Sequence, residues 1–328
     1  MTVKITKPKI NVREELNDLK KPTGIAGEAM LRAETPQEQF NLISAGRKNL
    51  IINGDMKIAQ RGTSFTSYSG YTIDRYKGFG HTYNRIDNGD FYSLRMLWVT
   101  GTDANIYYPV ELERGQLENG QTYTLSFKYK SSGSPMTLEV FYRTGTTGAN
   151  VLSQISGQTL PDSSGFSEYS ITFTCKGRIA AHTALNIRFG NASGTNEIAN
   201  LQLELGKGAT PFEHRSYGEE LALCQRYFVK FKSAGLVYNT YSTTQGYFQI
   251  PLPVAMRGHP TASWDTVDRI ALASTSNITT NITYWSSYSA YPASFYTFQA
   301  RSSTSLTAGL SYVAYPTNTP HVSLSAEL

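Results

Sequence analysis

The sequence predicts a mostly β protein: a short helical N-terminal arm, an antiparallel jelly-roll β-sandwich, then a smaller C-terminal β module. Three observations predict it. Apolar and polar side chains alternate with period two through short runs divided by Gly, Ser, Asn and Pro, the pattern of strands with one buried face. Tyr occurs 22 times, beside 15 Phe and 3 Trp, while charged residues make up only 17%; a ring with a polar tip suits strands and contact surfaces alike. Helix start and stop signals are confined to the N-terminal arm and one later junction. At 328 residues, 40% of them hydrophobic, the chain can build two compact domains and an extension.

Residues 1–48 show no strand alternation. Asn11 is a predicted N-cap with Glu14 three residues on, and Val12, Leu16 and Leu19 follow as a narrow apolar stripe of the kind that pairs with another helix. Lys20, Lys21 and Pro22 end it. A second helix opens at Thr35-Pro36-Gln37-Glu38, carries Phe40, and stops at Gly46. Helices this short need packing partners. The arm either lies on its own domain or anchors the chain by self-association or docking on a larger assembly, with Val12, Leu16, Leu19 and Phe40 as the contacts.

Residues 49–215 hold the sandwich. Tyr123, Leu125, Phe127 and Tyr129 alternate with polar residues, as do Met136, Leu138, Val140 and Tyr142 after the turn Ser132-Gly133-Ser134-Pro135. Tyr169 to Cys175, Leu185 to Phe189 and Leu201 to Leu205 repeat the pattern. Without interleaved helices, two packed antiparallel sheets are the economical architecture. Residues 216–328 open with Ser216-Tyr217-Gly218-Glu219, a capping box that starts a linker helix through Leu221 and Cys224. Strands are expected at Tyr247–Ile250, Thr283–Trp285, Phe295–Phe298 and Leu310–Val313.

Charge and cysteine usage narrow the function classes. The net charge is +5, but the basic residues of the arm alternate with Glu14, Glu15 and Asp18 as on a solvated helix, so no nucleic-acid partner is expected. Cys175 and Cys224 read as small buried apolar residues. No apolar run reaches membrane-spanning length, and the opening MTVKITKPKINVREE lacks a signal-peptide core, so membrane insertion is not expected and the chain is expected to be made in the cytoplasm.

Several blocks resemble a known family. Asn49-Leu50-Ile51-Ile52-Asn53-Gly54-Asp55-Met56, with Ile58-Ala59-Gln60-Arg61-Gly62, looks like the opening strand of carbohydrate-binding-module-like domains in bacteriophage tail fibres. Tyr71-Thr72-Ile73-Asp74-Arg75-Tyr76 resembles their next block, and Leu203 through Arg215 their end. Tyr217–Phe228 resembles the junction typical of such fibres, while Pro251–Arg257, Pro260-Thr261-Ala262 and the terminal Ser325-Ala326-Glu327-Leu328 resemble their C-terminal modules, and the arm is similar to segments in cyanophages. The resemblance implies a virion protein with a jelly-roll module and a distal β module, often trimeric, and fixes no particular receptor. Taken with the anchoring arm and the lack of catalytic motifs, it makes a non-enzymatic tail fibre the expected reading, bound to other virion proteins through its N-terminus and contacting a host-surface polysaccharide or other receptor. The resemblance also implies that a structural calcium often sits near the first strand; Asn53 and Asp55 are not backed by a carboxylate cluster, so no metal and no cofactor is assigned.

Candidate binding residues are aromatic, because sugar C–H faces stack on flat rings. In the sandwich they are Trp98, Tyr107 and Tyr108; of the adjacent tyrosines only one can face the core. In the C-terminal module Tyr284, Trp285, Tyr288, Tyr291 and Tyr296 crowd one stretch, with Tyr238 and Tyr241 on another loop, and the alternative for all of these is a core or subunit interface. Catalysis is not expected: the five histidines are scattered, no metal, nucleophile-elbow or phosphate-loop motif is present, and Glu111 with Glu113 is the one notable carboxylate pair. The alternatives to a fibre are a structural virion component, as tail adaptor or capsid decoration, and a polysaccharide-degrading tailspike.

Overall fold

The computed structural model describes residues 48–99, 104–112, 117–144, 151–180, 182–191, 193–232, 236–264, 270–273, 277–280, 282–287, 295–316 and 321–327. The expected arm helices, with Val12, Leu16, Leu19 and Phe40, lie outside the described residues. So do Glu113, Tyr288 and Tyr291.

Ten strands form the first sheet: β1 (Ser64–Tyr71), β2 (Lys77–Asp87), β3 (Tyr92–Leu97), β4 (Ala104–Glu111), β5 (Thr122–Ser132), β6 (Met136–Thr144), β7 (Val151–Leu160), β8 (Ser163–Thr174), β9 (His182–Asn191) and β10 (Thr195–Leu205). Their order is β7-β6-β9-β4-β2-β3-β10-β5-β8, with β1 on β2. The sheet cannot be flat. Phe127 on β5 and Phe189 on β9 stand five strands apart in that order, about 24 Å in a planar sheet, yet their rings meet edge-on at 4.9 Å. The sheet therefore folds over itself into a sandwich, and the two faces expected as separate sheets are joined.

The joint is β2. Lys77–Phe79 pair with β4, whereas Thr82–Asp87 pair with β3. Glycine allows the change of partner: Gly80 has φ 67°, and the Tyr83 ring occupies the place a Cβ on Gly78 would take, 2.4 Å away. At the open ends, Gln154 on β7 exchanges hydrogen bonds of 2.9 and 3.0 Å with the backbone of Lys176, just past β8. Between the faces lie Leu125, Phe127, Leu138, Ile187, Phe189, Ile198 and Leu203, all buried, as period-two alternation predicts.

One expectation fails. Residues 49–56 are not a strand but a knot of turns, with Asn53 at φ 59° and Met56 at φ 60°. The segment does run beside β10, through Leu50 N–H to Leu203 O (2.8 Å) and Leu201 N–H to Gly54 O (2.9 Å). Asn53 then ties the turns together, donating to the carbonyls of Ile58 and Asp74 at 2.9 Å each. A buried amide saturated by backbone replaces the ladder a strand would supply.

The helix α1 (Tyr217–Gln225) starts where the capping box predicts, with Ser216 Oγ accepting from Glu219 N–H at 3.3 Å. Its buried residues are Glu220 and Cys224; Glu220 accepts from Asn53 N–H and from Arg215. Beyond it, β11 (Phe228–Lys232), β14 (Thr261–Trp264) and β20 (His321–Ser325) form an antiparallel sheet in the order β11-β20-β14. A second sheet comprises β12 (Val237–Thr240), β13 (Gln245–Pro251), β15 (Ile270–Ala273), β16 (Asn277–Thr280), β17 (Ile282–Ser287), β18 (Phe295–Ser302) and β19 (Ser311–Pro316). Val229, Tyr238, Phe248, Ile250, Tyr312 and Leu324 share one core.

A buried polar junction joins these sheets to the sandwich. Arg75, 1% exposed, ion-pairs with Glu327, donates to Pro109 O at 2.8 Å, and lies 3.6 Å over the Tyr227 ring. Arg61 reaches the other Glu327 oxygen at 3.0 Å and lies 3.5 Å over the Phe228 ring. Both arginines belong to blocks of the resemblance, and so does Glu327.

Candidate functional site

Tyr107 and Tyr108 separate as alternation requires. Tyr108 is a core residue, 1% exposed, its hydroxyl bridging the N–H and O of Ile52 at 2.7 and 2.9 Å; as a binding residue it is corrected. Tyr107 points outward, half-buried. Trp98 packs partly buried against the core.

Around Tyr107 the registers assemble one cross-strand row: Glu139 (β6), Arg188 (β9), Tyr107 (β4), Lys77 (β2) and Tyr71 (β1) are successive partners. Direct partners share a face, so five side chains line up over about 19 Å of sheet. Phe79, 40% exposed, meets the Tyr107 ring edge-on with centroids 5.3 Å apart. Arg188 ion-pairs with Glu139. Burial works against the Arg188 charge, but the Tyr107 hydroxyl and Glu139 hold its pKa above the ordinary value. Lys77 lies 5.4 Å from the Phe79 ring centre and 5.7 Å from that of Tyr71, and burial, reinforced by Arg143, lowers its pKa. At the end of β4, Glu111 accepts from Arg257 Nε at 2.9 Å and from the Tyr227 hydroxyl, so the C-terminal half closes one end of this face. Its chemistry is a ring surface set between fixed cations and a carboxylate, suited to stacking an apolar sugar face while bonding hydroxyls.

The C-terminal candidates divide. Tyr238 is fully buried, packed on Phe248 at 4.8 Å with its hydroxyl on Ala300 O at 2.8 Å; it is a core ring and is corrected as a ligand contact. Tyr241 is 46% exposed, on the turn between β12 and β13. Tyr284 and Trp285 fall on β17 and Tyr296 on β18, antiparallel neighbours. Among the described residues no group of three or more His, Cys, Asp or Glu side chains converges to hold a metal; Asp55 is instead paired with Lys57 at 2.6 Å. Among them, too, no helix is long and apolar enough to cross a membrane. Sequence reasoning missed Phe79, Arg188, Glu139 and Lys77, because only strand register brings them beside Tyr107.

No protein-family model matches this chain, and no curated protein matches it. Solved structures do resemble it in part. The enzymatically active domain of tailspike protein 4 from bacteriophage CBA120 matches over 48% of this chain at 17% identity and TM-score 0.34, and the match spans only 21% of that chain. The CBM22-1 xylan-binding domain from Paenibacillus barcinonensis matches over 44% of this chain and 94% of its own, at 13% identity and TM-score 0.31. A family 16 carbohydrate-binding module matches over 47% and 99%, at 18% identity and TM-score 0.32. The likeness is one of outline, and no ligand or activity passes from those proteins to this chain.

Proposed function

We propose that this chain is a non-enzymatic, tail-fibre-type virion protein of a bacteriophage that contacts host-surface glycan. The observation behind the glycan reading is the outward row on the first sheet, with the Tyr107–Phe79 ring pair beside the Arg188–Glu139 ion pair. The sequence blocks at residues 49–62, 71–76 and 203–228 support the virion reading. In this scheme residues 1–48 anchor the chain to other tail proteins and trimerise it through Val12, Leu16, Leu19 and Phe40. Residues 49–215 bind saccharide, and residues 216–328 add a receptor contact through Tyr241 and the Tyr284, Trp285, Tyr288, Tyr291 and Tyr296 stretch.

The test uses the full chain on immobilised envelope polysaccharide from the host. Saturable binding, weakened at least tenfold in Tyr107→Ala and Arg188→Ala variants that keep the wild-type melting temperature, is the expected result. Release of reducing ends would make the protein a tailspike enzyme. Absence of binding, with a copy number in virions matching a capsid or tail-junction component, would make it an adaptor or decoration protein.

A further inference from the structure

The block Leu203–Arg215 builds something the row around Tyr107 does not use. Gln202 and Glu204 sit on the outer side of β10, yet both are buried, 0% and 2% exposed. What covers them is the chain just past β10, folded back over the strand. Thr210 donates to Glu204 through its N–H at 2.8 Å and its hydroxyl at 2.7 Å, and Glu213 N–H donates to Gln202 Oε1 at 2.8 Å. Lys48 Nζ adds a bond to Pro211 O at 2.9 Å. Two buried side chains thus rivet a strap across the sheet, and the strap's edge overhangs β5 and β8.

Under that edge lies a groove of about 740 Å³. Its wall is the ring pair Phe212 and His214, edge-on at 4.9 Å. Its floor holds Ser126 and Ser170, direct partners across β5 and β8, and the Lys128–Glu168 pair at 3.7 Å, which cancels its own charge. Asn200 also lines it. This residue is the extra one in a β-bulge, where β10 advances from Ala199 to Gln202 while β5 advances from Lys128 to Ser126. It takes φ 50°, and its Oδ1, shielded from solvent, has no hydrogen-bond partner. Bulges re-aim side chains at functional positions, and a buried carbonyl oxygen left unpaired asks for a donor.

We infer that this groove is a second saccharide site, for an uncharged sugar residue that lies against the Phe212–His214 wall and hydrogen-bonds the side-chain amide of Asn200. It occupies the opposite outer face of the sandwich from Tyr107, because the inward Phe127 and Phe189 lie between the two faces. The site stands without the Tyr107 row and fails separately from it.

Saturation-transfer NMR on the full chain, with the methyl glycosides of glucose, galactose and N-acetylglucosamine as probes, tests it. The informative variant is Asn200→Gly, since glycine accepts the positive φ and only the amide is lost. At least one glycoside should give saturable transfer to wild type and to Tyr107→Ala, with affinity at least tenfold weaker in Asn200→Gly at an unchanged melting temperature. Phe212→Ala should weaken it similarly. The inference is overturned if no glycoside gives saturable transfer to wild type, if Asn200→Gly binds as wild type does, or if Tyr107→Ala alone abolishes transfer.

Discussion

Glu327→Gln should destabilise the whole fold although it changes one charge near the chain's end. Glu327 is 4% exposed in its side chain and serves two guanidinium groups, Arg75 at 1% and Arg61 at 11% exposure. At the 3.0 Å Arg61 separation, Coulomb attraction with an effective dielectric constant of about 20 is about 5.5 kcal/mol before desolvation. Removing one partner of a buried pair costs roughly 3–5 kcal/mol, since the other charge stays buried. The lower end applies, because Arg61 keeps Asp74 at 3.9 Å and Arg75 keeps Pro109 O at 2.8 Å. With a urea m-value of about 3 kcal/mol/M, a loss of about 3 kcal/mol lowers the midpoint by roughly 1 M. Urea titration followed by tryptophan fluorescence and far-ultraviolet circular dichroism measures it. Glu168→Gln is the control: that side chain is 82% exposed and pairs with Lys128 at 3.7 Å, so its loss should cost under about 1 kcal/mol. Equal midpoints for Glu327→Gln and wild type would refute the claim that this junction holds the sheets together.

Further outcomes follow from packing and burial. Tyr108→Ala, which empties a fully packed site and orphans the Ile52 backbone, should cost about 3–5 kcal/mol, whereas Tyr107→Ala on the outer face should cost under about 1 kcal/mol; paired urea midpoints decide. Gly54→Ala should cost about 1–3 kcal/mol because its Cβ would stand 2.2 Å from Leu201 O, while Gly208→Ala, with nothing within 4 Å, should be near neutral. Asp74 predicts a pH dependence: burial raises its pKa above 3.8 against the pull of Arg61 and Gln60. An acid raised by folding contributes stability that is full below its unfolded pKa and lost as pH rises through the folded one. The stability of wild type relative to Asp74→Asn should therefore be greatest below about pH 4 and shrink toward neutrality; a gap that widens with pH would contradict it.

The legible part of the fold was the part governed by a single period. β5, β6, β9 and the part of β10 beyond its bulge at Asn200 alternate regularly, so Leu125, Leu138, Ile187 and Leu203 announce themselves. β2 stayed hidden because Gly78 and Gly80 interrupt its alternation where it changes partners, and β7, Val151–Leu160, because mostly Ser, Gln, Gly and Thr fill its exposed positions. The turns at residues 49–56 look apolar enough for a strand; what defeats pairing there is the left-handed backbone at Asn53 and Met56. The same limit applies to the site. Alternation could say that one of Tyr107 and Tyr108 faces out, but the Arg188–Glu139 pair 81 and 32 residues further along the chain from Tyr107 is visible only once register is known.

The junction changes how the two halves can be tested. A truncation before Ser216 does not isolate an intact sandwich: it strips Arg75 and Arg61 of Glu327 and of the Tyr227 and Phe228 rings. It would also release Glu111, which Arg257 and Tyr227 hold at the end of the Tyr107 face. A buried cation without its partner is worse than none, so loss of saccharide binding by such a fragment would report a damaged sandwich, not a missing receptor module. Point changes on exposed residues avoid the ambiguity: Tyr107→Ala addresses the first sheet's outer row, and Tyr241→Ala, on a 46% exposed ring, addresses the C-terminal half. If the two act on the same ligand, the double variant should lose more than either; if Tyr241→Ala leaves every host contact intact, the receptor role of that loop is wrong and the junction's task is to brace the sandwich.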